Sequence, residues 1–210
     1  MGSRPFGLGR FYSFHRLLGL NIQAYGAAGG DNLYSKLRLI EPQLICAITA
    51  LKRLSRGFLE RVQVGSQGNH QRSASLKLEN FTGCLWSLSR QIIDHTQDAK
   101  LTFTGRCEVL NGWYHETGQL MFSDGKILSS TRRYRWNACA GGVDVHFEDG
   151  RFFHLIDLST LAPKATHFCD PDDYAVSYDF IQWPVWATLW SVTGARKNYE
   201  IHSCYRKLAL

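Results

Sequence analysis

From about residue 80 to the C-terminus, apolar and polar residues trade places at every second position. Trp86, Leu88 and Ile92 alternate with Ser87, Ser89 and Gln91, and Leu101, Phe103, Cys107 and Val109 with Thr102, Thr104, Arg106 and Glu108. Val143, Val145 and Phe147 alternate with Asp144, His146 and Glu148, and Tyr174, Val176, Tyr178 and Phe180 with Ala175, Ser177 and Asp179, before Tyr199, Ile201, Ser203 and Tyr205 close the series. A period of two marks strands with one face in a core. Asn111-Gly112, Asp124-Gly125, Gly141-Gly142 and Asp149-Gly150 separate the runs, and such dipeptides supply the positive φ angles of tight hairpins. Nine or ten short strands with no helical stretch between them predict an antiparallel sandwich or barrel. Charged side chains decide between the two. Arg90 shares a face with Trp86, Leu88 and Ile92, Arg132 with Tyr134 and Trp136, and His154 with Phe152 and Ile156. A closed sandwich core has no use for these groups, whereas a barrel lumen that holds a ligand does. The expected fold is mainly β, an antiparallel barrel over residues 78–210.

Upstream the period is helical. Leu44, Ile48, Leu51, Phe58 and Val62 keep one face of a helix over residues 42–64, Pro42 suits its first position, and Lys52, Arg53, Arg56, Glu60 and Arg61 gather on the other side. Residues 26–35 and 65–75 are Gly-, Ser- and Asn-rich and read as linkers. Three parts follow: a basic leader at 1–30, a linker with an amphipathic helix at 31–77, and the barrel.

Charge sharpens this division. The chain has 24 Lys or Arg and 18 Asp or Glu, a net +6. Residues 1–77 hold eleven of the cations against three acids (Asp31, Glu41, Glu60), a net +8, so the remainder is a net −2. The acid-free start carries Arg4, Arg10 and Arg16 among Phe6, Phe11, Tyr12 and Phe14, the pattern of a mitochondrial targeting segment. The expected location is the mitochondrial matrix, with the cytoplasm as the alternative. The same extension predicts protein partners, and its helix allows peripheral membrane contact.

Composition excludes several classes. At 44% apolar, 20% charged and 13% aromatic, the 210 residues are not a disordered chain. No run of 18 apolar residues exists for a transmembrane helix. The six Cys are spread out, without Cys-x-x-Cys or His-x-x-x-His spacing, so no structural metal is expected, and no cofactor is identified. His154 and His167 read as partners of buried Asp or Tyr. No nucleophile elbow or phosphate loop is present, so no catalytic residue is assigned. Arg132-Arg133-Tyr134-Arg135-Trp136 mixes cations with rings as single-strand nucleic-acid binders do, but it is one strand of a slightly acidic domain, and nucleic acid is not the expected partner.

The order of motifs over residues 81–206 is specific. Phe81-Thr82-Gly83 with Trp86, Arg90 and Asp94 is followed by Phe103-Thr104-Gly105, Tyr114-His115-Glu116-Thr117-Gly118 and Arg133-Tyr134-Arg135-Trp136. Phe147 to His154, His167-Phe168-Cys169 with Asp172 and Tyr174, Trp190 to Gly194, Arg196 to Tyr199 and Tyr205-Arg206 complete it. This resembles an uncharacterised family, domain of unknown function 6314, which in turn looks like a calycin, the lipocalin-type barrel. The resemblance implies a lipocalin-like closure in which Arg206 of the last strand packs over Trp86 of the first. It implies no activity.

Together these readings predict a non-enzymatic barrel that binds a small molecule in a polar and aromatic lumen. The expected anchors for an anionic or hydroxylated group are Arg90, Tyr114, Glu116, Arg133, His154, His167, Tyr174 and Lys197, with Trp86, Trp136 and Trp190 as walls. Two alternatives come from other classes. One is an accessory subunit of a large organellar assembly, such as a respiratory complex, ATP synthase or mitoribosome, docked through the extension. The other is a lumen-based isomerase or cyclase, which requires Glu116 or Asp172 beside His154.

Overall fold

The computed structural model describes residues 21–23 and 76–209. The helix expected at 42–64, its two linkers and the rest of the leader lie outside the described residues. Among the described residues no helix is long and apolar enough to cross a membrane.

The strands are β1 (Asn21–Gln23), β2 (Leu85–Asp94), β3 (Ala99–Leu110), β4 (Trp113–Met121), β5 (Ile127–Cys139), β6 (Gly142–His146), β7 (Phe152–Asp157), β8 (Lys164–Cys169), β9 (Asp172–Asp179), β10 (Trp186–Gly194) and β11 (Lys197–Lys207). β2 to β7 form one antiparallel meander and β8 to β11 a second. β11 joins them by pairing with β2, from Tyr199 opposite Asp94 to Lys207 opposite Trp86. The result is a nearly closed ten-stranded antiparallel barrel whose seam lies between β7 and β8, which carry no shared ladder. Both seam strands are short, and β7 is bulged, which blunts their free edges. β6 pairs only with the second half of β5, and β1 takes the first half, with Asn21 opposite Thr131.

The period of two produces this wall directly. β2 buries every second side chain from Trp86 to Asp94, and β5 buries Leu128, Ser130, Arg132, Tyr134 and Trp136. The four turn dipeptides fall between consecutive strands, with φ of 51° and 73° at Asn111 and Gly112 and of 84° to 86° at Gly125, Gly141 and Gly150.

One end of the barrel is closed by aromatic rings. The segment after a short 3-10 turn (Leu78–Asn80) crosses that end, with Gly83 N–H donating to Val109 O at 2.9 Å. Phe81 is thereby set edge-on against Trp136, Trp183 and Trp186 at centroid distances of 5.7, 4.8 and 5.9 Å. Trp86 packs into the same plug, 5.3 Å from Trp183.

Higher in the lumen, two glycines make room for one ring. Gly105 and Gly118 lie directly opposite each other on β3 and β4. A Cβ on Gly118 would sit 2.4 Å from Thr104 O, 2.6 Å from Gly105 Cα and 2.7 Å from the Phe103 ring. The missing side chains let Phe103 fold across the pair, where its ring meets the Arg90 guanidinium at 5.2 Å.

Two expectations change. His154 does not share its face with Phe152. A β-bulge shifts the register, so that Val145 faces His154 while His146 faces Phe152, leaving Phe153 as the extra residue. Phe153 and His154 are therefore both buried, and Phe152 is 52% exposed. Arg206 does not cover Trp86 either. It lies opposite Ser87, on the face turned away from the inward-pointing Trp86.

If the glycine pair seats Phe103, Gly118→Ala will lower stability in urea by about 1–3 kcal/mol, the range for overpacking a tight site. Gly125→Ala meets open space and strains only one positive φ, so it will cost less, about 1 kcal/mol. Equal losses would remove the glycine–Phe103 argument.

Candidate functional site

The lumen is organised around one carboxylate. Glu116 on β4 is 1% exposed. Arg90 on β2 holds it with both ends of its fork, Nη1 donating to Oε1 at 2.7 Å and Nη2 to Oε2 at 2.8 Å. The Tyr114 hydroxyl donates to Oε2 at 2.6 Å. Arg90 Nε in turn donates to Ser203 Oγ on β11 at 2.9 Å. Burial alone would push Glu116 up, but the charges of Arg90 and Arg132, with the hydrogen bonds from Arg90 and Tyr114, bring it down to about 2. Arg90 is raised above its ordinary value: burial opposes its charge, and Glu116 outweighs burial.

Arg132 is the second buried cation, 6% exposed, on β5 directly opposite Glu116. Its Nε lies 3.5 Å from Glu116 Oε1, too far and too poorly aligned for a hydrogen bond. Its guanidinium stands 5.8 Å from the Tyr134 ring centroid.

These groups line a small inner chamber of about 40 Å³, whose walls include Arg90, Tyr114, Glu116, Arg132, Trp136, His154, Thr188 and Trp190. That is room for about three or four waters, at roughly 10–15 Å³ each. The bulge residue Phe153 bounds the chamber on one side. It stacks on Trp190 at 5.2 Å and 7° and on Tyr134 at 5.6 Å and 26°. His154 shares a 2.7 Å hydrogen bond between Nε2 and the Tyr178 hydroxyl. Burial, reinforced by His167, lowers its pKa to about 3, so its imidazole is neutral at pH 7.

Beyond Phe153 lies a larger cleft of about 480 Å³ against the seam. Tyr134, Phe147, Phe152, Phe153, Phe168 and Tyr174 give it aromatic walls, and His167 and Cys169 complete the β8 side. Its charged rim is internally paired. Arg133 is 3.8 Å from Glu148, and Arg151 Nε donates to Asp149 Oδ2 at 2.8 Å.

The candidate residues thus divide. Arg90, Tyr114, Glu116, Trp136, His154 and Trp190 meet around the chamber, and Arg133, His167 and Tyr174 line the cleft. Arg133 points outward, 4.4 Å from the Trp113 ring, and the inward arginine is Arg132. Trp86 belongs to the aromatic plug. Lys197 donates to Asp172 Oδ2 at 2.5 Å and to the Tyr174 hydroxyl at 3.2 Å, lining neither cavity. The pair needed for proton transfer is not formed: Glu116 holds Arg90, Asp172 holds Lys197 and His154 holds Tyr178. Sequence reasoning missed Arg132, Phe153 and Thr188 as site residues. Only Arg132 had a readable signal, its parity with Tyr134 and Trp136.

The model of the family of unknown function DUF6314 matches residues 81–207, more than half of the chain, and the chain belongs to that family. No curated protein and no solved structure matches it.

Two stability tests follow. Glu116→Gln leaves the buried Arg90 guanidinium without its carboxylate partner, and urea unfolding at pH 7 should show a loss of about 3–5 kcal/mol. A loss below about 1 kcal/mol would mean that the pair does not organise the lumen. For His154, the unfolded chain takes up a proton near pH 6.5 that the folded barrel refuses until about pH 3. Stability is therefore intact above that window and falls as pH drops through it, by at most about 1.4 kcal/mol per pH unit from this residue. His154→Gln should flatten the decline between pH 6 and 4.5, whereas the loss from Glu116, whose ordinary value is 4.5, belongs to lower pH.

Proposed function

We propose that this member of the family is a non-enzymatic, lipocalin-like barrel that binds one small organic molecule in the cleft beside the seam. The observation that carries the reading is the cleft itself: about 480 Å³ lined chiefly by rings, within the roughly 300–1,000 Å³ common for small-molecule sites. Its rim charges neutralise one another, so the rim gives little preference for ligand charge. The arginines behind Phe153 favour a ligand with an anionic or hydroxylated group on that side. The up-and-down strand order supports the lipocalin-like comparison at the level of architecture. The separate partners of Glu116, Asp172 and His154 support binding rather than proton-transfer chemistry.

Phe168 offers a clean test, because it lines the cleft yet is 64% exposed and its loss will not unfold the barrel. A panel of aromatic monocarboxylates should raise the melting temperature of the natural protein by a few degrees for the best binders, and Phe168→Asp should abolish that rise without changing the melting temperature of the free protein. Equal shifts in both proteins would place binding elsewhere and sink the proposal.

A further inference from the structure

The charge count of the inner chamber does not balance. Its walls carry two arginines, Arg90 and Arg132, and one carboxylate, Glu116, with no other Asp, Glu or Lys. His154 is neutral at pH 7. One positive charge is left over in the cluster, and Arg132 is its loosely held cation: Arg90 and Tyr114 hydrogen-bond both oxygens of Glu116, while Arg132 keeps only a 3.5 Å ion pair with Oε1. An uncompensated buried charge is among the most expensive features a fold can carry.

The hydrogen-bond count points the same way. Arg132 Nε, Trp136 Nε1, Trp186 Nε1, Thr188 Oγ1 and His154 Nδ1 are buried and have no hydrogen-bond partner among the described residues, Arg132 Nε keeping only its 3.5 Å ion pair with Glu116. All five side chains line this one chamber and are more than nine-tenths buried. Three of these atoms carry N–H groups that can only donate, and the threonine hydroxyl can donate as well. Buried polar groups of native proteins are rarely left unmatched, and five around one cavity form a coherent set.

We propose that the chamber is a binding site for a singly charged anion of carboxylate size, with Arg132 as its counter-charge and the two indole N–H groups and Thr188 as hydrogen-bond donors. Water alone could accept from these donors but would leave the charge unmatched, a headgroup larger than a carboxylate exceeds the 40 Å³, and a doubly charged one exceeds the single surplus charge. The inference gives the group behind Phe153 a chemical identity. It depends on the proposed cleft ligand only for the anion's source, which is either a free ion or the carboxylate head of that ligand.

Formate is the probe, titrated into the full-length protein at constant ionic strength held with a bulky sulfonate. The readout is the set of indole N–H signals in ¹⁵N-tryptophan spectra, with Trp136 and Trp186 assigned by Phe substitution. Those two signals should move and saturate with a Kd no tighter than about 0.5 mM, the ceiling for a three-atom ligand. Arg132→Gln should weaken binding at least about tenfold, the effect of losing a charge-assisted contact. In formate-free buffer the same variant should melt no lower than the natural protein, because a surplus charge has gone. A structural role in holding Glu116 would instead make it melt lower. If that variant fails to fold, Arg132→Lys keeps the charge and should still bind formate, more weakly. No saturable shift, or equal shifts with and without Arg132, overturns the site.

Hexanoate separates the sources. Binding tighter than formate, weakened by Phe168→Asp while formate binding is unchanged, identifies the head of a cleft ligand. Formate binding without hexanoate binding supports a free ion, and in that case the chamber site stands even if the cleft proposal falls.

Discussion

A carboxylate sealed inside a protein wall must be matched by donors that water no longer supplies, and in this barrel the match spans three parts of the sheet. Glu116 stands on β4, Arg90 reaches it from β2, and Ser203 of β11 anchors the far side of the arginine. β2 and β11 are the pair that joins the two meanders. Through Ser203 the network built on the ion pair reaches across the junction of the two meanders, and its tolerance for misplacement is small because desolvation of both charges has to be offset by geometry. The neighbouring residues fit this requirement. Gly105 and Gly118 give up side chains so that Phe103 can lie across them and back the Arg90 guanidinium. Tyr114 spends its hydroxyl on the remaining carboxylate lone pairs.

The second constraint is steric. Ten strands would enclose a cup, but the inward side chains are largely rings, and they fill it until about 40 Å³ remains around the arginines. The bulge on β7 sets the partition. By adding one residue it turns both Phe153 and His154 inward, and Phe153 takes a stacked position between Tyr134 and Trp190. The larger space lies outside that partition, where β7 and β8 share no ladder. Charge and volume are thus separated: the unmatched cation sits in the small chamber, and the room for an organic body sits beside the seam.

Much of this wall was readable from alternation. The parity of Trp86, Leu88, Arg90 and Ile92 put a cation on a buried face, and that made a barrel a better expectation than a sandwich. The Asn-Gly, Asp-Gly and Gly-Gly pairs marked turns that carry the positive φ those residues permit. Parity fails where the chain adds a residue. Counting by twos placed His154 with Phe152, and nothing in Phe152-Phe153-His154-Leu155 announces the bulge, since every residue there suits a strand. Parity also put Arg132 on the face of Tyr134 and Trp136, yet the expected anchor was its neighbour Arg133, which faces outward onto Trp113. The pairing of Lys197 with Asp172 joins residues 25 apart in sequence and depends on how β9, β10 and β11 align. The size of the chamber depends on ring orientations, which residue types alone do not specify.

The relation between Arg132 and Glu116 is the most informative detail, because proximity alone would have paired them. They are cross-strand neighbours on β4 and β5 and point the same way, the arrangement in which opposite charges ordinarily meet. Arg90 comes from two strands away and takes the carboxylate bidentately, leaving Arg132 at 3.5 Å without a hydrogen bond. If the fold needed only to neutralise Glu116, either arginine would suffice, and a second buried guanidinium would add desolvation cost without a matching gain. A lumen in which the distant cation does the structural work leaves the near one free to face the chamber. This is the arrangement expected when one arginine builds the wall and the other meets what enters it.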